Sequence, residues 1–105
     1  MKQLLNIFFS STEFWQKFEI VKERSTEYSY SVSYKLNSKF DNILLRFYEF
    51  QGVKSLSVVQ SRKIIIDSLF FLNLDELNLL LNRVPQIRAA NPLCSGSLSI
   101  KALSL

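Results

Sequence analysis

The chain has 105 residues, of which 48% are hydrophobic, 13% aromatic and 21% charged. This length and composition predict a single domain over residues 1–105 with a core of its own, and they exclude the polar, highly charged mixture that stays disordered. Thirteen basic and 9 acidic residues give a formal net charge of +4. That charge favours an acidic partner such as nucleic acid, anionic lipid or an acidic protein.

Several kinds of active site are excluded by the residues that the chain lacks. It contains no histidine and one cysteine, Cys94, so the usual Ser-His-Asp and Cys-His catalytic arrangements are impossible. One cysteine without histidine cannot complete a structural zinc site, and two glycines cannot build a nucleotide-binding glycine loop. We therefore predict no enzyme activity, no catalytic residues, no metal and no cofactor.

No segment has the character of a membrane span or a secretion signal. The apolar part of the opening MKQLLNIFFSS is short, is interrupted by Asn6 and has no small-residue cleavage site after it. The most apolar later stretch, Ile64 to Leu81, carries three carboxylates, which is unlike a membrane helix. We expect a cytoplasmic protein.

The first elements are predicted to be helical. The segment Gln3 to Phe9 is compatible with helix or strand, and we interpret it as a helix. The tetrapeptide that follows, Ser10 to Glu13, has the form of a capping box, in which Ser10 and Glu13 bond reciprocally to each other's amides. A second short helix through Phe14, Trp15 and Phe18 is expected to begin there.

The middle of the chain is predicted to be β-sheet. Alternating or β-branched segments indicate strands, and their spacing of about 10 to 12 residues is typical of an antiparallel meander or sandwich. We therefore predict an α+β fold built on an antiparallel sheet of about five or six strands. The strand segments are FEIVKER, TEYSYSVSYKL, ILLRFYEF, VKSLSVV, IIIDSLFFL and, near the end, SLSIKAL.

One helix is predicted near residues 75–84. The segment LDELNLLLNRV has leucines at helical spacing, and Asp75 and Glu76 suit the first turn. Pro85 can end this helix, and QIRAANPLCSG after it is interpreted as a loop. Asp67 is a carboxylate between apolar strand residues. It is expected either on the solvent side of an edge strand or paired with a basic residue such as Arg46.

The stretch EYSYSVSYKLN leaves two interpretations of its tyrosines open. They share one parity with Val32 and Leu36, so they form core if helices cover that face, and this is the default interpretation. The same tyrosines would bind a partner if the face is open, and their hydroxyls need partners when buried. The candidate partner-binding residues are Tyr28, Tyr30, Tyr34, Arg46 and Tyr48.

The segment from Asn42 to Leu72, with ILLRFYEFQGVKSLSVVQSRKIIIDSLFFL, resembles small immunity proteins of bacterial polymorphic-toxin systems. The similarity lies in a strand ending near LRF, a strand opening on GVKSL, and IIID before another aliphatic pair. The tail LCSGSLSIKALSL, up to Leu105, is similar to their closing strand. The resemblance implies a protein that binds and blocks one cognate toxin, and the charge of +4 then implies an acidic toxin or a largely apolar interface.

Three functions from different classes follow from these features. Protein binding, most concretely neutralisation of a toxin by steric occlusion, is favoured. A small basic nucleic-acid-binding module is the alternative, because aromatic and basic side chains on a sheet can stack bases and contact phosphates. However, serines interleave the tyrosines, with Lys35 as the sole cation there. An accessory subunit of a larger assembly is third, and the oligomeric state is left open.

Overall fold

A computed structural model describes residues 1–36 and 42–91 of the protein. One helix precedes a sheet of five antiparallel strands, and two short helices follow it. The elements in chain order are α1 (Lys2–Phe9), a 3-10 turn (Trp15–Lys17), β1 (Phe18–Ser25), β2 (Ser29–Leu36), β3 (Ile43–Phe50), β4 (Val53–Gln60), β5 (Lys63–Phe71), α2 (Leu74–Asn82) and α3 (Pro85–Ala90).

The strands pair in the order β1-β2-β3-β4-β5, each antiparallel to its neighbour in the chain. The predicted α+β fold with an antiparallel meander is therefore confirmed, as one open sheet rather than a sandwich. The strand predicted over residues 97–103 and Cys94 both lie outside the described residues.

Two tight turns connect β3 to β4 and β4 to β5. Gln51 and Gly52 have φ angles of 50° and 81°, and Ser61 and Arg62 have φ angles of 52° and 70°. Two consecutive residues with positive φ are typical of the type I′ turn, whose twist matches that of the flanking strands. Only one of these four positions is glycine, so three ordinary residues adopt the left-handed conformation to build the meander.

One face of the sheet, called the inner face below, packs against all three helices. Its buried residues alternate along β3, where Ile43, Leu45 and Phe47 are each at most 1% exposed, whereas the edge strands bury one residue each, Phe18 in β1 and Phe71 in β5. The helices contribute Leu5, Phe8 and Phe9 from α1, Leu77 and Leu81 from α2, and Ile87 from α3 to the same core. The opposite side of the sheet is called the outer face.

The region between α1 and β1 differs from the prediction. The helix expected over residues 3–9 is confirmed, but the capping box at Ser10 is wrong. Ser10 ends α1, and its amide donates to the Ile7 carbonyl. Thr12 Oγ1 instead accepts from the Trp15 amide at 3.3 Å. A single 3-10 turn follows, because Phe18 already begins the first strand.

The end of the described chain contains one more helix than predicted. The helix expected near residues 75–84 is confirmed as α2, capped by Asn73, whose side chain accepts from the Glu76 amide at 3.0 Å. The loop predicted after Pro85 is wrong at its start, since Pro85 opens α3. Proline suits a first helical position, where its missing N–H is not needed, and Ile87 then packs into the core.

Candidate functional site

Two rows of side chains cross the outer face from strand to strand. The register places β1 opposite β2, β2 opposite β3 and so on, so the residues in each row lie side by side. The first row is Arg24, Ser31, Tyr48, Ser55 and Phe70. The second row is Lys22, Ser33, Arg46, Ser57 and the pair Asp67–Ser68.

Small and large side chains alternate along these rows. Within these two rows, β2 and β4 contribute serines, whereas β1 and β3 contribute long basic or aromatic side chains. The serines leave a depression of about 540 Å³ in the middle of the face. Its lining includes Lys22, Ser31, Ser33, Arg46, Tyr48, Ser55 and Ser57. A second depression of about 500 Å³ adjoins it at Leu44 and Arg46.

Positive charge is concentrated on the outer face. Its acidic side chains in the described residues are Glu19 and Asp67, and its basic side chains are Lys22, Arg24, Lys35, Arg46 and Arg62. The ion pairs formed within the described residues lie on the inner parity, between Lys2 and Glu23 at 3.6 Å, and from Glu49 to Lys54 at 3.7 Å and to the amino terminus at 3.5 Å. The five outer cations form none within that part of the chain, and although Glu19 lies opposite Lys35 in the register, the face has an excess of positive charge.

An exposed apolar patch, called the aromatic corner below, occupies one end of the outer face. Tyr48 is 47% exposed, Phe50 44%, Val53 55% and Phe70 64%. Phe50 pairs with Val53 beside the β3–β4 turn, and Tyr48 and Phe70 lie on either side of Ser55. Contiguous exposed apolar side chains next to polar ones are typical of interaction surfaces.

Asp67 lies in a β-bulge of the edge strand β5. Two residues, Asp67 and Ser68, lie opposite Ser57, and Ser68 has a φ of 57°. Asp67 Oδ1 accepts from the hydroxyls of Ser57 at 2.9 Å and Ser68 at 3.1 Å. The expected position of Asp67 on the solvent side of an edge strand is confirmed. Because bulges disturb regular pairing, this edge is a poor template for another strand.

The five predicted partner-binding residues occupy three different places. Tyr34 is buried on the inner face and stacks on Phe9, with ring centroids 3.9 Å apart. Tyr30 is half-buried on the inner face, and exposed Tyr28 lies in the β1–β2 turn. Arg46 and Tyr48 lie on the outer face, in neighbouring rows. The tyrosine stripe is therefore mainly one wall of the core.

Tyr30 lies near the start of β2, and its hydroxyl forms a hydrogen bond to a carboxylate of β1. Its hydroxyl donates to Glu23 Oε2 at 2.5 Å. Burial, and after it the bond to Glu23, raises the pKa of Tyr30 above its ordinary value. The same hydroxyl is the main cause that lowers the pKa of Glu23, with Lys2 nearby adding to it. Burial also raises the pKa of Tyr34. The shifted groups thus belong to the inner face.

The outer-face residues that the sequence prediction missed are chiefly Lys22, Phe70 and the serines of β2 and β4. The patterns SYSVS and SLS did indicate one polar parity, but a polar parity is equally typical of a solvated face. Only the register shows that the serines flank Arg46 and Tyr48 and so create a depression.

Comparison of the chain with protein-family models, with curated proteins and with solved structures gives no match in any of the three. None of the helices in residues 1–36 and 42–91 is long and apolar enough to cross a membrane. In the same ranges no three metal-ligating side chains gather into a metal site.

Proposed function

We propose that this protein is a non-catalytic protein-binding module whose partner docks on the outer face of the sheet. The observation that carries the proposal is the aromatic corner lying beside an excess of positive charge on a face that the described helices leave open. Aromatic and arginine side chains dominate the energetics of protein interfaces, and Tyr48 of the aromatic corner lies in the row next to that of Arg46. Charges around such a centre supply specificity.

The more specific form of the proposal is neutralisation of a cognate toxin by steric occlusion in the cytoplasm. It is supported by the resemblance of residues 42–72 to bacterial immunity proteins. This segment forms β3, β4 and β5, the strands that carry the aromatic corner. An inhibitor of this kind needs a stable folded surface and no catalytic group or cofactor.

A nucleic-acid-binding module is the second candidate, supported by the basic depression with Tyr48 at its rim. Two features favour a protein partner. The exposed residues Phe50, Val53 and Phe70 form an apolar area that phosphates would not use, and Asp67 lies at the end of the same row as Arg46. Nucleic-acid binding predicts an affinity that falls steeply with salt, whereas an interface with an apolar centre is less sensitive.

Site-specific photocross-linking in the native host tests the docking face. A benzophenone amino acid replaces Tyr48 or Phe70 on the outer face, and Leu79 on α2 serves as the matched control, because Leu79 is 54% exposed on the helical side. We expect one defined protein cross-linked from positions 48 and 70 and none from 79. Cross-linking mainly from 79, or only to nucleic acid, would contradict the proposal.

A further inference from the structure

We infer that the partner contributes an extended acidic segment, which lies along β2 in the furrow between β1 and β3. The furrow is defined by Ser31 and Ser33 as its floor, Lys22 and Arg24 as one wall, and Arg46 and Tyr48 as the other. This inference rests on the proposed function and adds the chemical class of the bound segment.

The width of the furrow suits one polypeptide strand. Lys22 and Arg46 both lie opposite Ser33, on its two sides. Neighbouring strands are about 4.8 Å apart, so the main chains that carry these two cations are roughly 10 Å apart. Serine side chains between them are short, which leaves space for another chain above β2.

The spacing along the furrow suits an acidic residue at every second position. Lys22 and Arg24 are two residues apart on β1, so their side chains are separated by about 7 Å along the strand. An extended segment running along β2 has the same repeat between side chains that point the same way. Carboxylates at alternate positions can therefore meet Lys22 and Arg24 on one wall, with Arg46 on the other side.

The groups that line the furrow have unused binding capacity. In the described part of the chain, Lys22, Arg24 and Arg46 form no ion pair, and the hydroxyls of Ser31 and Ser33 have no hydrogen-bond partner. The acidic residues of this face, Glu19 and Asp67, lie away from the furrow floor, in another row and on β5 respectively. Charge complementarity thus favours an acidic segment over a neutral or basic one.

Fluorescence anisotropy with labelled peptides tests the inference on the full-length protein. The probes are an alternating Glu-Ser peptide and matched Gln-Ser and Lys-Ser peptides. We expect the Glu-Ser peptide to bind and the other two peptides not to bind. Lys22→Gln or Arg46→Gln should raise the dissociation constant of the Glu-Ser peptide about tenfold, since losing one charge-assisted hydrogen bond changes an affinity by roughly that amount. Arg83→Gln, the same charge change at the end of α2, should leave the affinity unchanged. Unfolding midpoints verify that each variant is folded.

Three results would overturn the inference: equal binding of Glu-Ser and Gln-Ser, an equal effect of Arg83→Gln, or tighter binding of oligothymidylate than of the Glu-Ser peptide.

The photocross-linking experiment separates failure of the acidic-segment inference from failure of the proposed docking face. If cross-linking from position 70 persists unchanged in Lys22→Gln and Arg46→Gln, the face is correct and the acidic class is wrong. If cross-linking from the outer face is absent, the proposed function itself fails.

Discussion

The two faces of this sheet are built by the same five strands and have opposite characters. In β3, Ile43, Leu45 and Phe47 are buried, whereas Arg46 and Tyr48, one residue away, are exposed. Side chains of a strand alternate between faces, so covering one side with helices buries every second residue in the first part of β3. One strand can therefore stabilise the fold with the side chains of one parity and leave those of the other parity free for recognition.

Packed aromatic rings on the inner face contribute to the stability of the fold. Phe47 lies edge-on to Phe9, Tyr34 and Phe71, with ring centroids 5.8, 5.9 and 6.1 Å away. Edge-to-face pairs of this kind contribute about 0.5–1.5 kcal/mol each beyond their buried area. The outer face has its rings at the aromatic corner, where solvent covers them instead of other rings.

The largest expected difference between the faces comes from two adjacent residues of β3. Phe47→Ala should lower the free energy of unfolding by about 3–5 kcal/mol, because it leaves a cavity among packed rings. Tyr48→Ala should lower it by less than about 1 kcal/mol, since that ring is half exposed. Urea unfolding of the two variants measures both values. A loss in Tyr48→Ala as large as that in Phe47→Ala would show that the outer face is covered.

The sequence predicted the inner face better than the outer one. Alternation in EYSYSVSYKLN placed Tyr34 on an apolar parity, and burial of apolar surface follows such patterns closely. The proposed recognition surface depends on which residues become neighbours across strands. Ser33 meets both Lys22 and Arg46 only through the register of β2 with β1 and β3, which includes an irregularity of β1 between Ile20 and Lys22, and no local pattern encodes those pairings.

Local capping was the least predictable part of the fold. SSTE has the residues of a capping box, but burial of Phe14, Trp15 and Phe18 leaves room for only one turn before β1. At Asn73 and Pro85, by contrast, helices do begin with residues that suit a helix start, although Pro85 was predicted to end a helix rather than to open one. Tertiary packing prevailed over local preference at the first site and agreed with it at the other two.

Loss of a single polar contact should also distinguish the faces. Asn73→Ala removes the cap of α2, which helps to cover the inner face, and should cost about 1 kcal/mol. Ser57→Ala removes a hydroxyl that bonds to Asp67 and Ser68 in the outer-face bulge, but at an exposed position it should cost about 0.5 kcal/mol or less. Thermal unfolding compares the two, and the reverse order would contradict this assignment of stability to the inner face.

The smallest predicted effect is a dependence of stability on acid pH. Because the Tyr30 hydroxyl lowers the pKa of Glu23 in the folded state, the ionised carboxylate favours folding at pH values above its ordinary pKa of 4.5. That contribution is lost as the pH falls through the lowered folded pKa. Tyr30→Phe should therefore reduce the dependence of stability on pH below about 4.5. Tyr48→Phe, which removes a hydroxyl from the outer face, should retain the wild-type dependence in acid titrations followed by circular dichroism.

Hydroxyl-radical footprinting tests most directly whether the outer face is an open surface that a partner covers. The free full-length chain and the complex isolated after cross-linking from position 70 are oxidised, and the extents of labelling are compared at Tyr48 and Phe50 on the outer face and at Ile7 and Leu79 on the helical side. All four side chains are at least 44% exposed. We predict labelling of all four in the free chain, and protection of Tyr48 and Phe50 alone in the complex. Protection of Tyr48 and Phe50 already in the free chain, or protection of Ile7 and Leu79 instead, would contradict the account.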